Sequence, residues 1–260
     1  MIFIYIMIIL TGVGVSFIST LFGLGGGILM VPVLSLILPF SHIEAIATSL
    51  TTIIFVAAFN TYNFNRKGVV VWSIVPWIAV SSATFALVTA YISILLPENV
   101  LILIFFVVLL WTALRTFLIK ESELIITDGK TNRLIPIGIG SLSGTISALT
   151  GIGGGGITTP LTLVTKLVNN VQAAPTSNAV MIFTTAFASI SFALMSNPDA
   201  GKMTLGYIHF DYALLLFCGS LIFSRIGVHI NQKVPLFWRK TILGIILLFI
   251  CIRLFIMLVS

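Results

Sequence analysis

The chain has 260 residues, of which 58% are hydrophobic and only 8% are charged. Soluble globular proteins carry roughly 25% charged residues, so this composition excludes a water-soluble domain and indicates an integral membrane protein. The net charge of +6 comes from Lys and Arg residues that stand singly or in pairs between apolar runs. This spacing is typical of topology anchors and excludes a basic face for nucleic acid.

Each half of the chain begins with a long apolar segment that glycines interrupt. The first consists of residues 2–22, a glycine run and residues 28–38; the second consists of residues 134–150, a glycine run and residues 157–168. The pieces after the glycines, at about 12 residues or ~18 Å, are too short to cross ~30 Å of hydrocarbon, which predicts half-helices. The first segment lacks a basic leader region, so we expect it to be retained rather than cleaved.

Three uninterrupted apolar spans follow each broken segment. They are predicted over residues 44–64, 69–95 and 98–119 in the first half, and 172–195, 207–228 and 236–258 in the second. Each is long enough for a transmembrane helix, which requires about 20 residues. Cys218 and Cys251 are lone thiols inside apolar stretches, so we interpret them as small core residues and expect neither a disulfide nor a metal site.

The two halves are a tandem duplication. An offset of 128 residues aligns their first parts, and an offset of 138 aligns their later parts, which places a ten-residue insertion near residues 195–204. Aligned pairs include Gly12 with Gly140, Pro32 with Pro160, Ser49 with Ser177, Gly68 with Gly206 and Ser82 with Ser220. The predicted domains are a first repeat at 1–120, a cytoplasmic connecting loop at 121–133 and a second repeat at 134–260.

The thirteen Lys and Arg residues indicate how the halves are oriented. If each broken segment enters the membrane and returns, eleven of them lie on one side and only Lys202 and Arg253 lie on the other. The alternative, in which the broken segment crosses once, divides them eight to five. The positive-inside rule favours the first arrangement, so we predict inverted repeats with both termini outside. The predicted fold class is an all-α polytopic membrane protein in which each half has a glycine-broken helical hairpin and three transmembrane helices.

Paired glycine breaks at equivalent positions of inverted halves predict a transporter's substrate site at the membrane midplane. Irregular backbone inside a membrane is tolerated where it lines a cavity or is buried in protein, and a half-helix N-terminus favours an anion. Each proline, a few residues inside a half-helix, either frees a carbonyl four residues earlier or delays the start of the helix. The predicted substrate-binding backbone comprises Gly23, Gly25, Gly26, Gly27 and Pro32 in the first half, and Gly151, Gly153, Gly154, Gly155 and Pro160 in the second. The alternative role for these glycines is close helix packing.

Polar side chains recur near the start of the span after each break, and they are further candidates for substrate contact: Thr48, Ser49, Thr176, Ser177 and Asn178. Their hydroxyl and amide groups suit a polar solute, although helix-to-helix hydrogen bonding explains them equally well. Ionisable groups lie near span ends. Among these, Glu44 and Asp211 are predicted to stabilise helix N-termini, and Arg225 is the cation placed to reach inward.

The two motifs read Phe22-Gly-Leu-Gly-Gly-Gly-Ile-Leu-Met-Val-Pro32 and Thr150-Gly-Ile-Gly-Gly-Gly-Gly-Ile-Thr-Thr-Pro160, each followed by Ala-x-x-Thr-Ser. This doubled pattern resembles the TauE/SafE family of sulfite exporters, and the resemblance covers essentially the whole chain. It implies a multi-pass permease of a bacterial or archaeal inner membrane whose relatives move small sulfur-containing anions such as sulfite, thiosulfate or organosulfonates. The first half departs from the second at Ala47 and Leu50, which stand opposite Pro175 and Asn178.

The sequence therefore predicts a secondary transporter of small oxyanions. The alternatives are a passive anion channel, a transporter of small carboxylates and, less favoured, a membrane accessory subunit or an intramembrane enzyme. No nucleotide-binding loop is present, and no catalytic residue, metal site or cofactor is predicted. The expected partners are a small anionic solute, the lipid bilayer, a coupling proton or sodium ion and a second copy of the chain.

Overall fold

The computed structural model describes residues 8–15, 27–37, 40–118, 133–196, 204–231 and 236–259. Within them the chain is almost entirely helical, as predicted. The elements are α1 (8–15), α2 (Gly27–Ile37), α3 (His42–Asn65), α4 (Val75–Leu95), α5 (Glu98–Leu118), α6 (Leu134–Thr150), α7 (Gly155–Val164), α8 (Asn170–Leu194), β1 (Thr204–Leu205), β2 (Ile208–His209), α9 (Phe210–Asn231) and α10 (Leu236–Val259).

All six predicted spans are helices, and α3, α4 and α8 are long and apolar enough to cross a membrane. Two starts were predicted too early. The helix α4 begins at Val75 because a turn around Gly68 (φ +66°) and a proline at its first residues separate it from α3. The helix α9 begins at Phe210 because a two-stranded antiparallel hairpin, β1–β2, follows the predicted insertion. The all-α prediction missed this hairpin, in which Gly206 adopts φ +59°.

The helices α3 and α8 start with the same capping motif. Ser41 and Glu44 form a capping box at the start of α3, and Asn169 and Gln172 form one at the start of α8. In each box the side chain of the first residue accepts the backbone N–H of the second, and the side chain of the second accepts the backbone N–H of the first. These residues are aligned by the 128-residue offset, so the duplicated sequence produces duplicated helix starts.

Glycines allow the two halves to pack closely on each other. A Cβ atom at Gly12 of α1 would clash with the backbone of Leu216 in α9, and one at Gly140 of α6 would clash with the backbone of Ile78 in α4. These two contacts are equivalent under the offsets of 128 and 138 residues. Each half therefore places its first helix against the fourth helix of the other half, as small residues in membrane helices permit.

Hydrogen bonds between helices give their relative directions. Thr51 contacts Ser189 at 3.2 Å, and Asn60 contacts Asn178 at 3.4 Å, so α3 and α8 are antiparallel. Gly140 and Gly144 of α6 pack successively along α4, which runs parallel to α6. Contacts of α4 residues 82 and 87 with α8 residues 184 and 191 show that α8 is parallel to both. Since α6 and α8 point the same way, α7 must return between them.

The bundle has two ends of different charge. We define the acidic end as the one where α3, α5 and α9 begin, and where Glu44 lies 3.4 Å from His209. The basic end is where α4, α6 and α8 begin, and where Arg133 stacks on Trp77 at 4.8 Å. By position, the described acidic residues all lie at the acidic end: Glu44, Glu98 and Asp211. Apart from Arg253, the described Lys and Arg residues lie towards the basic end: Arg66, Lys67, Arg115, Arg133, Lys166, Arg225, Arg239 and Lys240.

One predicted core residue is misplaced. Cys251 is buried as expected, but Cys218 is exposed. The reason is that α9 packs on α1 through Leu216 and Gly219, and Cys218 lies between them on a different face of the helix.

Candidate functional site

The second glycine break lies at mid-depth in the bundle. The break, Gly151–Gly154, joins α6 to α7, and a Cβ atom built at Gly153 would lie 3.0 Å from side-chain atoms of both Ile53 in α3 and Met181 in α8. Met181 is about 17 Å along α8 from its first residue, at 1.5 Å per residue, close to the middle of that helix. Ile53 and Met181 are themselves equivalent in the two halves. The break is therefore buried between the central pair of equivalent helices.

The backbone of this break is irregular, as the glycine run predicts, and three of its glycines are in the left-handed region. Gly151, Gly153 and Gly154 have φ of 69°, 84° and 82°, in the left-handed region that other residues rarely adopt. Gly154 is the N-cap of α7 and provides no side chain to cap it. Among the described residues, none accepts the backbone N–H groups of residues 152–156. Buried N–H groups are almost always paired, so this cluster has the donors and the helix terminus that an anion requires.

The start of the first half-helix meets the second break. A Cβ atom at Gly27, the first residue of α2, would clash with the backbone of Ile152. Gly27 and Gly155 are the first residues of equivalent half-helices, so the start of α2 lies against the second break near the centre. The predicted site residues Gly23, Gly25 and Gly26 lie outside the described residues.

Both half-helices begin before their prolines. Pro32 lies inside α2 and Pro160 inside α7, so of the two alternatives that the sequence left open, the freed carbonyl applies and the later helix start does not. The proline at position 160 leaves the carbonyl of Gly156 without its usual partner four residues along. Polar backbone therefore continues from the break into the first turn of α7.

Thr48 and Thr176 perform one structural task in both halves. The Thr48 hydroxyl accepts the backbone N–H of His209 at 3.2 Å, and the Thr176 hydroxyl accepts that of Val71 at 3.1 Å. His209 and Val71 are aligned by the 138-residue offset. Each threonine thus holds the segment that precedes α9 or α4 of the opposite half.

Ser49 and Asn178 are also engaged within the protein. The Ser49 hydroxyl donates to the Gly151 carbonyl at 2.9 Å, which fixes the second break against α3. The Asn178 amide donates to the Ala174 carbonyl at 2.8 Å and accepts from Asn60 at 3.4 Å. These residues shape the site, and among the described hydroxyls near the start of α8 only Ser177 has a buried oxygen with no partner.

Comparison with known proteins identifies the family. The model of the family described as sulfite exporter TauE/SafE matches residues 8–254. The chain belongs to the TauE/SafE family. It is 26% identical to a probable membrane transporter protein of Haemophilus influenzae over 96% of this chain and 97% of that protein. It is 36% identical to another such protein of that organism over 68% of this chain and 67% of the relative, and 25% identical to one of Methanocaldococcus jannaschii over 94% of each. No solved structure matches it significantly.

The structure adds one residue to the TauE/SafE candidate site. Ser147, on the last turn of α6, is fully buried and its hydroxyl has no partner among the described residues. Its Cβ lies 3.7 Å from the position that a Cβ of Gly154 would take. The alignment of Ser19 with Ser147 is the sequence signal for this position, but hydropathy alone gives no reason to single it out. Ser147 is thus an unpaired hydroxyl close to the second break, and Ser177 is an unpaired hydroxyl one turn before Met181, which contacts that break.

Among the described residues, no charged side chain lies at the glycine break, and no group of three His, Cys, Asp or Glu residues could hold a metal ion.

Arg225 belongs to α9, but its side chain lies outside the described part, so its predicted inward reach is untested. A cavity of about 610 Å³ between the ends of α4 and α8 is lined by apolar residues such as Tyr91 and Leu194. It lies at the acidic end, away from the break.

Proposed function

We propose that this TauE/SafE protein is a secondary transporter of small sulfur-containing anions, such as sulfite, thiosulfate or a small sulfonate. The observation that carries the proposal is the second glycine break, where five successive backbone N–H groups have no acceptor among the described residues at mid-depth in the bundle. Hydrogen-bond donors without a fixed positive charge suit an anion that must be released again. The family description names sulfite, which supports sulfite as the first solute to test.

We infer that the two halves are inverted repeats. The antiparallel contact of the equivalent helices α3 and α8 supports this, since a two-fold axis in the membrane plane reverses each helix. The return of α7 between the parallel helices α6 and α8 supports an in-and-back hairpin. Such a scaffold suits alternating access, in which one half rocks against the other around a central site.

The charge distribution supports an orientation in the cell membrane. Lys and Arg residues near transmembrane helices favour the cytoplasmic side. We therefore propose that the basic end is cytoplasmic and the acidic end faces outwards in a bacterial or archaeal plasma membrane. Cysteines introduced singly at Asn65 and Ser196, for example, should react with a membrane-impermeant thiol reagent from opposite sides in a variant that lacks Cys218 and Cys251.

Transport by the purified chain in proteoliposomes tests the function. The probes are radiolabelled sulfite, thiosulfate and a two-carbon sulfonate, with a carboxylate of similar size as the comparison. Saturable flux of one sulfur anion, competed by its unlabelled form, is expected. Flux that rises linearly with concentration would indicate a channel, and flux of the carboxylate alone would overturn the substrate class.

A further inference from the structure

The two ends of the bundle use the same backbone arrangement with different side chains. At the acidic end, Glu44 of the α3 capping box faces His209, whose backbone N–H is held by Thr48. At the basic end, the equivalent positions are Gln172 of the α8 capping box and Val71, whose backbone N–H is held by Thr176. A titratable pair therefore occurs at one end where the duplicated scaffold has a neutral pair at the other.

The geometry of the Glu44–His209 pair is well defined. Glu44 Oε1 lies 3.4 Å from His209 Nε2, which is an ion-pair distance although the ring nitrogen has no aligned hydrogen bond. The other carboxylate oxygen accepts from the Ser41 backbone at 3.0 Å and hydroxyl at 2.9 Å. The imidazole stacks on Tyr212 at 5.5 Å and lies 4.5 Å from Phe40. Both side chains are largely buried, with 18% of His209 and 14% of Glu44 exposed.

Other titratable groups lie at the acidic end with the pair. His42 on α3 is buried against Phe105, and both of its ring nitrogens lack partners among the described residues. Glu98 on α5 accepts the His42 backbone N–H at 2.7 Å, and Asp211 lies in the first turn of α9 beside Tyr212. These three groups at the acidic end besides the pair are therefore one histidine and two carboxylic acids.

We propose that the Glu44–His209 pair is the proton-binding site that couples this transporter to a proton gradient. With neutral His209 the pair has one negative charge; a proton bound at the imidazole gives a neutral ion pair, which ties the hairpin and α9 to α3. Histidine is the side chain that changes charge in the physiological pH range. The helix α3 also contacts the second glycine break through Ser49 and Ile53. A change in the contact between the pair and α3 would therefore alter the proposed solute site.

The proposal rests on the proposed transport function. The residues at the equivalent positions of the basic end indicate which substitutions test it. Combining Glu44→Gln with His209→Val reproduces the Gln172–Val71 pair that the same scaffold already accommodates, and glutamine retains the capping box. Radiolabelled sulfite is followed in proteoliposomes in two ways: exchange with equal sulfite on both sides, and uptake driven by a proton gradient. The double variant should retain exchange and lose the stimulation of uptake by protons.

Asp211→Asn is the matched control, since it removes a carboxylate from the same end without touching the pair. It should retain the proton stimulation. Stimulation that persists in the double variant, equal loss of stimulation in the control, or loss of exchange in the double variant would each overturn the proposal. Absence of proton stimulation in the wild type, with exchange intact, would overturn the proton site and leave the transport function standing.

A measurement without solute keeps the two proposals separate. Infrared difference spectra between about pH 5 and pH 8, the range in which histidine titrates, should contain imidazole and carboxylate bands in the wild type that the double variant lacks. Their presence in both proteins would contradict a proton site at this pair even if no sulfite transport were found.

Discussion

The centre and the ends of this bundle differ in how closely the two halves match. Near the centre, Ile53 and Met181 contact the same glycine break from equivalent positions, and towards the two ends Thr48 and Thr176 hold equivalent backbone N–H groups. At the ends, equivalent backbone positions have side chains of different charge. The comparison teaches that backbone contacts which hold the repeats together leave little room for change, whereas end positions can specialise separately.

The mutation with the largest expected effect on transport lies at the centre. Gly154→Val places a β-branched residue at φ +82° and brings a Cβ to 2.5 Å from the Ser143 hydroxyl. A left-handed conformation costs about 1–2 kcal/mol for a residue with a Cβ, and the added side chain would press against Ser143 and Ser147 of α6. Sulfite flux in proteoliposomes should fall to background while the protein still inserts into the membrane.

Gly138→Val is the control for this change, because a Cβ at Gly138 of α6 meets nothing within 4 Å. It should transport normally. Normal flux in a well-expressed Gly154→Val variant would contradict a solute site at the second break.

The next effect tests the equivalence of the halves. Thr48→Val and Thr176→Val each leave one partly buried backbone N–H without its acceptor, and losing the partner of a buried group typically destabilises a protein by about 1–3 kcal/mol. Unfolding followed in detergent should give similar losses for the two variants. Thr84→Val, which removes an exposed hydroxyl that bonds only within its own helix, should change stability little. A loss confined to one of the two variants would show that the halves are not energetically equivalent.

Replacing serines should have a smaller effect, which differs between hydroxyls with and without a hydrogen-bond partner. Ser147→Ala and Ser177→Ala remove groups with no partner among the described residues, so they should leave stability nearly unchanged. If each hydroxyl donates to the bound anion, KM for sulfite should rise about tenfold, equivalent to about 1.4 kcal/mol.

Ser143→Ala is the comparison, because that hydroxyl contacts Thr158 at 2.7 Å and Gly154 at 3.1 Å. It should lower stability instead. An unchanged KM in both Ser147→Ala and Ser177→Ala would remove these two serines from the site.

The smallest effect is expected at the helix starts. Ser41→Ala and Asn169→Ala each remove a capping side chain, which typically costs about 1 kcal/mol. Their unfolding free energies should fall by similar amounts if the two capping boxes are equivalent. A much larger loss for Ser41→Ala would show that its bonds to Glu44 also support the acidic end.

The predicted spans and the second glycine break agree with the structure because both depend on local properties. A run of apolar residues needs only its length to indicate a membrane helix. Glycines such as Gly153 indicate an irregular backbone because other residues rarely adopt a positive φ. The early starts predicted for α4 and α9 are wrong because hydropathy does not register a turn at Gly68 or a hairpin at Gly206.

The roles of the polar side chains were not predictable in the same way. Thr48 and Ser49 are adjacent in sequence, yet one hydroxyl binds the segment before α9 and the other binds the second break, 161 and 102 residues away. Ser147 and Ser177 were indistinguishable by sequence from the hydroxyls that have partners. The hydrogen-bond partner of a side chain depends on which helices pack against its own helix. That packing involves residues far away in the sequence.

By itself, the sequence determined the membrane environment, the order of the helices and the duplicated glycine–proline breaks, because hydropathy and backbone freedom depend on neighbouring residues alone. Only the tertiary structure decided that the first helix of each half packs on the fourth helix of the other, and that Gly27 meets Ile152. It also decided that Glu44 faces His209 while Gln172 and Val71 hold the equivalent positions. These contacts join distant residues, so they exist only once the two halves have packed together.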